Sequence, residues 1–355
     1  SGNGGGNLDL IAFLSKNAKL DALTVAMKFP TPTPLPALKA PTPDPSVKLD
    51  PGAPVGFASA NGGTTGGKGG AAYVVSDKDI FKMAVADDQP RIIVIVGTIT
   101  LDLGTPTRVG SNKTILGLKG AKIVQGGLTI EGKKNVIIQN IIFEDAHDPN
   151  PSWPSTKAST DNITIDRGST NVWVDHCTFS DGPHVDRESQ NHDGALDVSG
   201  GNYVTVSYSY FSNHDKVNLI GSDDKNVQDR GLNKVTFHHN YFEGTIERHP
   251  RVRFGEVHVY NNYYKGVQLY GIGIGVEAKV YSEANYFENV LEPWRFYDNP
   301  DMPGYIKDIG SFLANSGKVE ARPGGITWEP GKYYTYQLDP AQNVKDIVLK
   351  NAGAR

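Results

Sequence analysis

The segment Val235–Phe242 reads VTFHHNYF, and the segment Val257–Tyr264 reads VHVYNNYY. Each begins with a valine, carries an asparagine five residues later and ends on an aromatic residue seven positions after the valine. The first residues alternate between apolar and polar positions, which is typical of a strand with one buried face. A strand unit that repeats in this way predicts a stack of similar coils.

The same valine-to-aromatic spacing occurs six times along the chain. The six pairs are Val136 and Phe143, Val172 and Phe179, Val204 and Phe211, Val235 and Phe242, Val257 and Tyr264, and Val280 and Phe287. Repeats of this length without helical patterns between them favour a parallel β-helix, a single-stranded solenoid, over a helical solenoid. The longer intervals in the first half predict loop insertions, and such insertions tend to collect on the binding face.

Asparagines mark one bend of each of the last three repeats. Asn240, Asn262 and Asn285 all stand five residues after the repeat valine. Stacked asparagines can hydrogen-bond along the stack and satisfy backbone groups that a bend leaves unpaired. We therefore expect an asparagine ladder at this bend.

Two charged segments lie inside the repeat array. Residues His192–Asp197 carry two aspartates four positions apart, and residues Glu247–Gly255 carry three arginines. Stacked coils can bring such segments together although they are distant in sequence. Carboxylates beside cations indicate a metal-assisted site for an anionic substrate.

The domain organisation follows from the repeats and from a proline-rich stretch. The continuous repeat predicts one large catalytic β-helix domain over residues 53–355. Residues 1–52 form a predicted N-terminal extension, with a short amphipathic helix within 8–29. Eight prolines lie between Pro30 and Pro51, which favours an extended strap or linker there.

Composition excludes several classes of protein. A net charge of −4 is not that of a general nucleic-acid binder. No apolar run approaches the roughly 20 residues that span a bilayer, so no membrane partner is expected. The single cysteine, Cys177, allows no intrachain disulfide and is predicted to be an inert buried thiol. Residues 1–7 lack the pattern of a signal peptide, which leaves an intracellular protein or a processed secreted one.

Five motifs in the same order resemble one enzyme family. They are Gly56–Ala58 with the glycine-rich 62–70, Ile92–Gly97, Asn171–Phe179, His192–Asp197 and Arg248–Gly255. Together they resemble the extracellular pectate lyases of polysaccharide lyase family one, over most of residues 53–290. The resemblance implies a right-handed parallel β-helix and secretion. It also implies calcium-dependent β-elimination of polygalacturonate to unsaturated oligogalacturonides, and we expect the chain to act as a monomer.

The resemblance assigns a calcium site to Asp161, Asp193 and Asp197. Oxygen ligands in an irregular arrangement suit Ca²⁺. Residues four apart on an extended strand lie roughly 13 Å from each other, too far to share an ion. We therefore expect a turn or bulge at Gly194, between the two aspartates.

The resemblance assigns catalysis to the cations. Arg248 is implied to be the base that removes the C5 proton, while Lys216 and Arg253 bind substrate oxygens and Arg251 is a further substrate-binding candidate. Because a guanidinium normally stays charged, we expect Ca²⁺ and the neighbouring cations to lower the pKa of Arg248. On an unbroken strand Arg251 and Arg253 share a face that Arg248 opposes, unless Pro250 breaks the alternation.

Other polar residues are interpreted as structural. Asp175 and His176 resemble a catalytic pair but have no nucleophile, and the adjacent His238 and His239 should point to opposite faces of a strand. The acids of the insertion that precedes Asp193 are interpreted as solvated loop residues, with a second calcium site as the alternative; they are Asp181, Asp186 and Glu188.

Three competing functions remain open. A pectin lyase would cleave the neutral methyl ester without a metal bridge, so the aspartates argue against it. A polygalacturonase would need paired carboxylates that activate water. A noncatalytic β-helix would bind the acidic polymer without cleaving it.

Overall fold

The computed structural model describes residues 42, 44, 51–148, 160–182 and 192–355. Most of the predicted N-terminal extension, including the segment 8–29, lies outside the described residues. Two described residues of that extension contact the β-helix: Asp44 N–H donates to the Ala72 carbonyl at 2.7 Å, and the Pro51 carbonyl accepts from Gln139 Nε2 at 3.0 Å.

The described strands, numbered in chain order, form three parallel sheets. Sheet 1 contains β1 (Ala71–Val75), β2 (Arg91–Ile95), β5 (Lys113–Gly117), β8 (Lys134–Gln139), β11 (Thr170–Asp175), β14 (Asn202–Ser207), β17 (Val235–His238), β20 (Glu256–Tyr260), β23 (Lys279–Glu283) and β26 (Tyr305–Ile309). Sheet 2 contains β3 (Thr98–Thr100), β6 (Lys122–Val124), β9 (Ile142–Glu144), β12 (Thr178–Ser180), β15 (Tyr210–Ser212), β18 (Tyr241–Glu243), β21 (Tyr263–Lys265), β24 (Tyr286–Glu288) and β27 (Phe312–Ala314). Sheet 3 contains β4 (Thr107–Arg108), β7 (Leu128–Glu131), β10 (Ile163–Asp166), β13 (Leu196–Ser199), β16 (Leu219–Ile220), β19 (Arg251–Val252), β22 (Ile272–Ile274) and β25 (Trp294–Phe296).

Each coil passes through sheet 1, sheet 2 and sheet 3 before the next coil begins, so neighbours within a sheet come from successive coils. This arrangement confirms the predicted right-handed parallel β-helix. Within the described residues the helical elements are short: α1 (Lys78–Ala86), α2 (Ala341–Asn351) and the 3₁₀ turns Phe57–Ser59, Val227–Asp229 and Pro330–Lys332.

The predicted repeat residues occupy equivalent places in successive coils. The six valines pair in register through sheet 1, and each is fully buried. The six aromatic residues stack in sheet 2 with ring centroids 4.5 to 5.1 Å apart. Because each ring packs on the ring of the next coil, this column fixes the register of these six coils.

The asparagine ladder is also confirmed. Asn240 N–H donates to Asn262 Oδ1 at 3.0 Å, and Asn262 N–H donates to Asn285 Oδ1 at 2.9 Å. The amide nitrogens donate to backbone carbonyls, such as that of Phe237 from Asn262 at 2.9 Å. The ladder thus satisfies buried backbone groups at the bend between sheets 1 and 2.

One helix packs into the interior core, and another packs on the outside of the solenoid. In α1, the Asp77 side chain caps the first turn by accepting from the N–H groups of Asp79 and Ile80. In α2, Val344 and Val348 pack against tyrosines on the outer face of sheet 2. Neither helix repeats with the coils, so the repeat pattern did not predict them.

The turn that follows sheet 1 holds the residues interpreted as structural. Cys177 is buried, and burial raises its pKa to about 12, which agrees with an inert thiol. Asp175 accepts hydrogen bonds from Ser207 and Gln139 and contacts His176, so it forms a structural network.

The prediction for His238 and His239 was wrong. β17 ends at His238, and His239 has a φ of 55°, so the alternation breaks between them. Their Nδ1 atoms lie 2.9 Å apart in a hydrogen bond.

Candidate active site

Four of the predicted site residues stand at equivalent turns of four consecutive coils. Each turn precedes a strand of sheet 3: Asp161 precedes β10, Asp193 precedes β13, Lys216 precedes β16 and Arg248 precedes β19. Backbone hydrogen bonds hold the turns in register, including Asn162 N–H to Gly194 O at 3.1 Å and Asn218 N–H to Arg248 O at 2.8 Å. The coils therefore bring together one edge on which two coils carry carboxylates and the next two carry cations.

The acidic part of this edge opens into a pocket of about 430 Å³. Its lining is Asp161, Thr164, Asp166, Asp193, Asp197, Val198, Ser199, Leu219 and Ser222. Four of these lining residues were not predicted from the sequence: Thr164, Asp166, Ser199 and Ser222. On β10 and β13 buried and outward positions alternate, so the period of two on these strands could have identified the first three.

Asp161 is held by two hydrogen bonds from the protein. Its Oδ1 accepts from Gly194 N–H at 2.8 Å, and its Oδ2 accepts from Thr164 Oγ1 at 2.9 Å. Burial and the charge of Asp193 nevertheless raise its pKa to about 6. The ionised carboxylate is therefore poorly compensated by the protein alone.

Asp197 folds back over Gly194 and accepts from Leu219 N–H at 2.9 Å. Burial and the charges of Asp161 and Asp193 raise its pKa well above the ordinary range. β13 begins only at Leu196, so the expected turn between the aspartates is present. Gly194 is favoured there by space, because a Cβ would lie 2.5 Å from Asp197 Cγ.

Asp193 lies at the rim of the pocket with a side chain that is 54% exposed. Its Oδ1 is 3.2 Å from Lys216 Nζ. Among the described residues, the carboxylate oxygens of these three aspartates do not all lie within 4.8 Å of one another, although another group of possible metal ligands does. A cation shared by all three would therefore draw Asp193 inward and away from Lys216.

Arg248 has a φ of 68°, so strand alternation does not extend back to it from β19. Its side chain is 18% exposed, with Nε 3.3 Å from Glu247 Oε1. Burial acts to lower its pKa, but the carboxylates of Asp197 and Glu247 outweigh burial and raise it. The predicted lowering of this pKa depends on bound Ca²⁺ and stays a prediction, whereas the protein's own carboxylates act in the opposite direction.

The other two arginines face outward from the end of β19, on either side of the buried Val252. Arg251 lies over the ring of Tyr297 at 4.4 Å, and burial together with the charge of Arg253 lowers its pKa. Arg253 donates from Nε to Asp224 Oδ1 at 2.5 Å and from Nη1 to Gly221 O at 2.9 Å. Both guanidinium groups are thus positioned by neighbours before any ligand binds.

A buried histidine that was not predicted binds the backbone of Asp193. His214 donates from Nε2 to the Asp193 carbonyl at 2.9 Å, while its Nδ1 contacts Asp181. Burial acts against the charged imidazole, but the Asp181 carboxylate outweighs it and raises the pKa of His214. Asp181 is itself buried, so its interpretation as a solvated loop acid was wrong. Asp186 and Glu188 lie outside the described residues.

Comparison with known proteins gives a consistent result. The family model for pectate lyases matches residues 46–355. Pectate lyase E of Dickeya chrysanthemi is 40% identical over 89% of this chain and 94% of its own length. A pectate trisaccharide-lyase of Thermotoga maritima is 37% identical over 85% of this chain and 88% of its own. A pectate lyase of Bacillus subtilis is 37% identical over 69% of this chain, and the match spans 64% of that protein.

Solved structures agree. A pectate lyase bound to a hexasaccharide superposes with a TM-score of 0.74 and 30% identity, over 86% of this chain and 99% of that chain.

Among the described residues, no helix is both long and apolar enough to cross a membrane.

Proposed function

The chain belongs to the pectate lyase family, and on that premise we propose that it cleaves de-esterified polygalacturonate by calcium-dependent β-elimination. The observation that carries the proposal is the acidic pocket. Burial and the charge of Asp193 raise the pKa of Asp161. Burial and the charges of Asp161 and Asp193 raise the pKa of Asp197. Such a pocket favours a bound cation, because a cation compensates the repulsion that the protein leaves in place.

The donor set fits Ca²⁺. Asp161, Asp193 and Asp197 offer only oxygen atoms, and the pocket of about 430 Å³ leaves room for water and for substrate oxygens. When bound there, Ca²⁺ would withdraw charge from the substrate carboxylate and acidify the neighbouring C5 proton. A neutral methyl ester would interact more weakly with Ca²⁺ than a carboxylate does, so the pocket favours pectate over methylated pectin as the substrate.

Arg248 is the proposed base. Its buried Nε has no hydrogen-bond partner among the described residues, and its charged form depends on Asp197 and Glu247. Once Asp197 is compensated by a cation, the charged form loses part of that support and a neutral guanidine becomes accessible at alkaline pH. The guanidine takes the C5 proton, the C5–H electron pair forms the C4–C5 double bond, and the C4–O4 bond breaks. The departing oxygen takes its proton from solvent.

Lys216, Arg251 and Arg253 are proposed to bind the uronate carboxylates and hydroxyls. Arginine matches a carboxylate with two parallel donors, and lysine acts as a compact charge. If Asp193 turns toward the pocket, Lys216 loses its ion pair at 3.2 Å and becomes available to substrate. Cation binding and substrate binding would thus be coupled through one side chain.

We also propose that the protein acts outside the cell as a monomer.

The solved relative that holds a hexasaccharide supports an extended cleft that accepts several sugar units.

The test is to digest polygalacturonate and methylated pectin at alkaline pH, with Ca²⁺ and with excess chelator. We expect ultraviolet absorbance from the conjugated C4–C5 double bond, greater on polygalacturonate and abolished by the chelator. New reducing ends without that absorbance would indicate a hydrolase. Binding without either signal would indicate a noncatalytic protein.

A further inference from the structure

A second cluster of metal-ligating side chains lies outside the proposed calcium pocket. Asp145 and His147 follow β9, and His192 comes from the next coil. We call these three residues the His–Asp–His cluster. It is the one group among the described residues in which at least three such ligand atoms lie within 4.8 Å of one another.

We infer that the His–Asp–His cluster binds a divalent transition metal such as Zn²⁺ or Co²⁺. Asp145 Oδ1 lies 3.0 Å from His192 Nε2 and 3.1 Å from His147 Nδ1. Ligand atoms of a tetrahedral zinc site with bonds near 2.1 Å stand about 3.4 Å apart. A metal could therefore replace the shared hydrogen bonds with a small outward movement of the three side chains.

The chemistry of the cluster separates it from the calcium pocket. Two imidazole nitrogens and one carboxylate oxygen suit Zn²⁺, Co²⁺ and Ni²⁺, whereas Ca²⁺ prefers oxygen ligands alone. The aspartates of the calcium pocket offer only oxygen, so the two ions would be sorted by ligand type. Neither site needs the other to be occupied.

Burial makes the cluster a defined site with one accessible side. The side chains of Asp145 and His192 are 9% and 5% exposed, while that of His147 is 19% exposed. Three protein ligands with access from one side leave a coordination position for water. His192 Nδ1 is buried and has no hydrogen-bond partner among the described residues, so no second-shell acceptor orients this ring.

A metal here would join two successive coils. Asp145 and His147 belong to the coil of β9, and His192 stands directly before Asp193 of the calcium pocket. Metal binding would therefore fix the chain at the entry to that pocket. We expect it to stabilise the fold, with no part in proton transfer.

The test is a titration of the full chain with Co²⁺ in saturating Ca²⁺, so that the calcium pocket is already filled. Visible absorption reports the ligands directly, because Co²⁺ in a low-coordinate nitrogen and oxygen site absorbs far more strongly than hydrated Co²⁺. We expect about one equivalent to bind, with displacement by Zn²⁺ and a higher melting temperature. Affinity should fall by about 100-fold or more in His147→Ala, because a ligand is lost.

His176→Ala is the matched control. It also removes a partly exposed histidine that contacts an aspartate, but it lies outside the cluster. The metal-free melting temperature of each variant shows whether it folds. The inference holds if folded His147→Ala loses the absorption and His176→Ala keeps it. It is overturned if the Ca²⁺-saturated protein shows no such absorption, or if His147→Ala leaves it unchanged. Either of these results would mean that the cluster is a hydrogen-bonded structural network only.

Discussion

Asp161→Asn should stabilise the protein when calcium is absent and make it less stable than the wild type when calcium is present. The folded chain raises the pKa of Asp161 from 3.8 to about 6, chiefly by burial and then by the charge of Asp193. For a raised carboxyl pKa, the favourable contribution exists below pH 3.8 and is lost as the pH rises through about 6. At pH 8 the ionised group therefore costs the metal-free protein up to about 3 kcal/mol.

Asparagine removes this cost and can keep both hydrogen bonds of the aspartate. Its Oδ1 can accept from Gly194 N–H, and its Nδ2 can donate to Thr164 Oγ1. In chelator at pH 8 we expect Asp161→Asn to be more stable than the wild type by about 1 to 3 kcal/mol. The difference should shrink as the pH falls below 6.

Calcium should invert the order of stability. The wild type gains stability as Ca²⁺ binds, whereas the variant lacks one carboxylate ligand and gains much less. Urea unfolding with chelator and with millimolar Ca²⁺ measures both differences. Asp308→Asn is the control, because burial also raises the pKa of Asp308 but it lies on β26, away from the pocket. If the metal-free variant is less stable than the wild type, Asp161 is not a destabilising charge; if its response to calcium is undiminished, Asp161 is not a calcium ligand.

Three further predictions concern single side chains. Gly194→Ala should weaken calcium binding tenfold or more by calorimetry, because the new Cβ would displace the Asp197 carboxylate; unchanged affinity would contradict the packing. Asn262→Ala should lower the free energy of unfolding by about 3 kcal/mol in urea, since Asn240 N–H and the Phe237 carbonyl lose their partners; a loss below about 1 kcal/mol would contradict the ladder. Burial lowers the pKa of His249 from 6.5 to about 3, so its contribution is complete above pH 6.5 and is lost as the pH falls toward 3. Between pH 7 and pH 5 the wild type should lose about 2 kcal/mol more than His249→Asn, and equal losses would exclude this histidine as the cause.

The solenoid could be predicted from the sequence because its energetics repeat. Each of six coils buries a valine in sheet 1 and an aromatic ring in sheet 2, so six copies of one pattern specify one register. The helix α2 has no such signal. Val344 and Val348 are buried only because tyrosines from several coils form a surface for them, and that surface exists only after the coils stack.

Some features of the candidate site could be predicted from the sequence, and others could not. The motifs placed Asp193 and Arg248 in two segments that are distant in sequence, and stacking of the coils accounts for their closeness. Burial was not predictable for Asp181, because its partner His214 comes from another coil. The direction of the Arg248 pKa also depends on how many carboxylates surround it in the folded chain, a count that the sequence does not contain.

Arg248 is the proposed base that removes the proton in a calcium-dependent elimination. The direct measurement is the rate of double-bond formation on polygalacturonate for Arg248→Ala, at saturating Ca²⁺, beside polymer binding by the same variant. We expect binding to remain within a few-fold of the wild type and the rate to fall by a factor of about 10² to 10⁴, the range typical of a lost general base. Double-bond formation near the wild-type rate in folded Arg248→Ala would contradict the account.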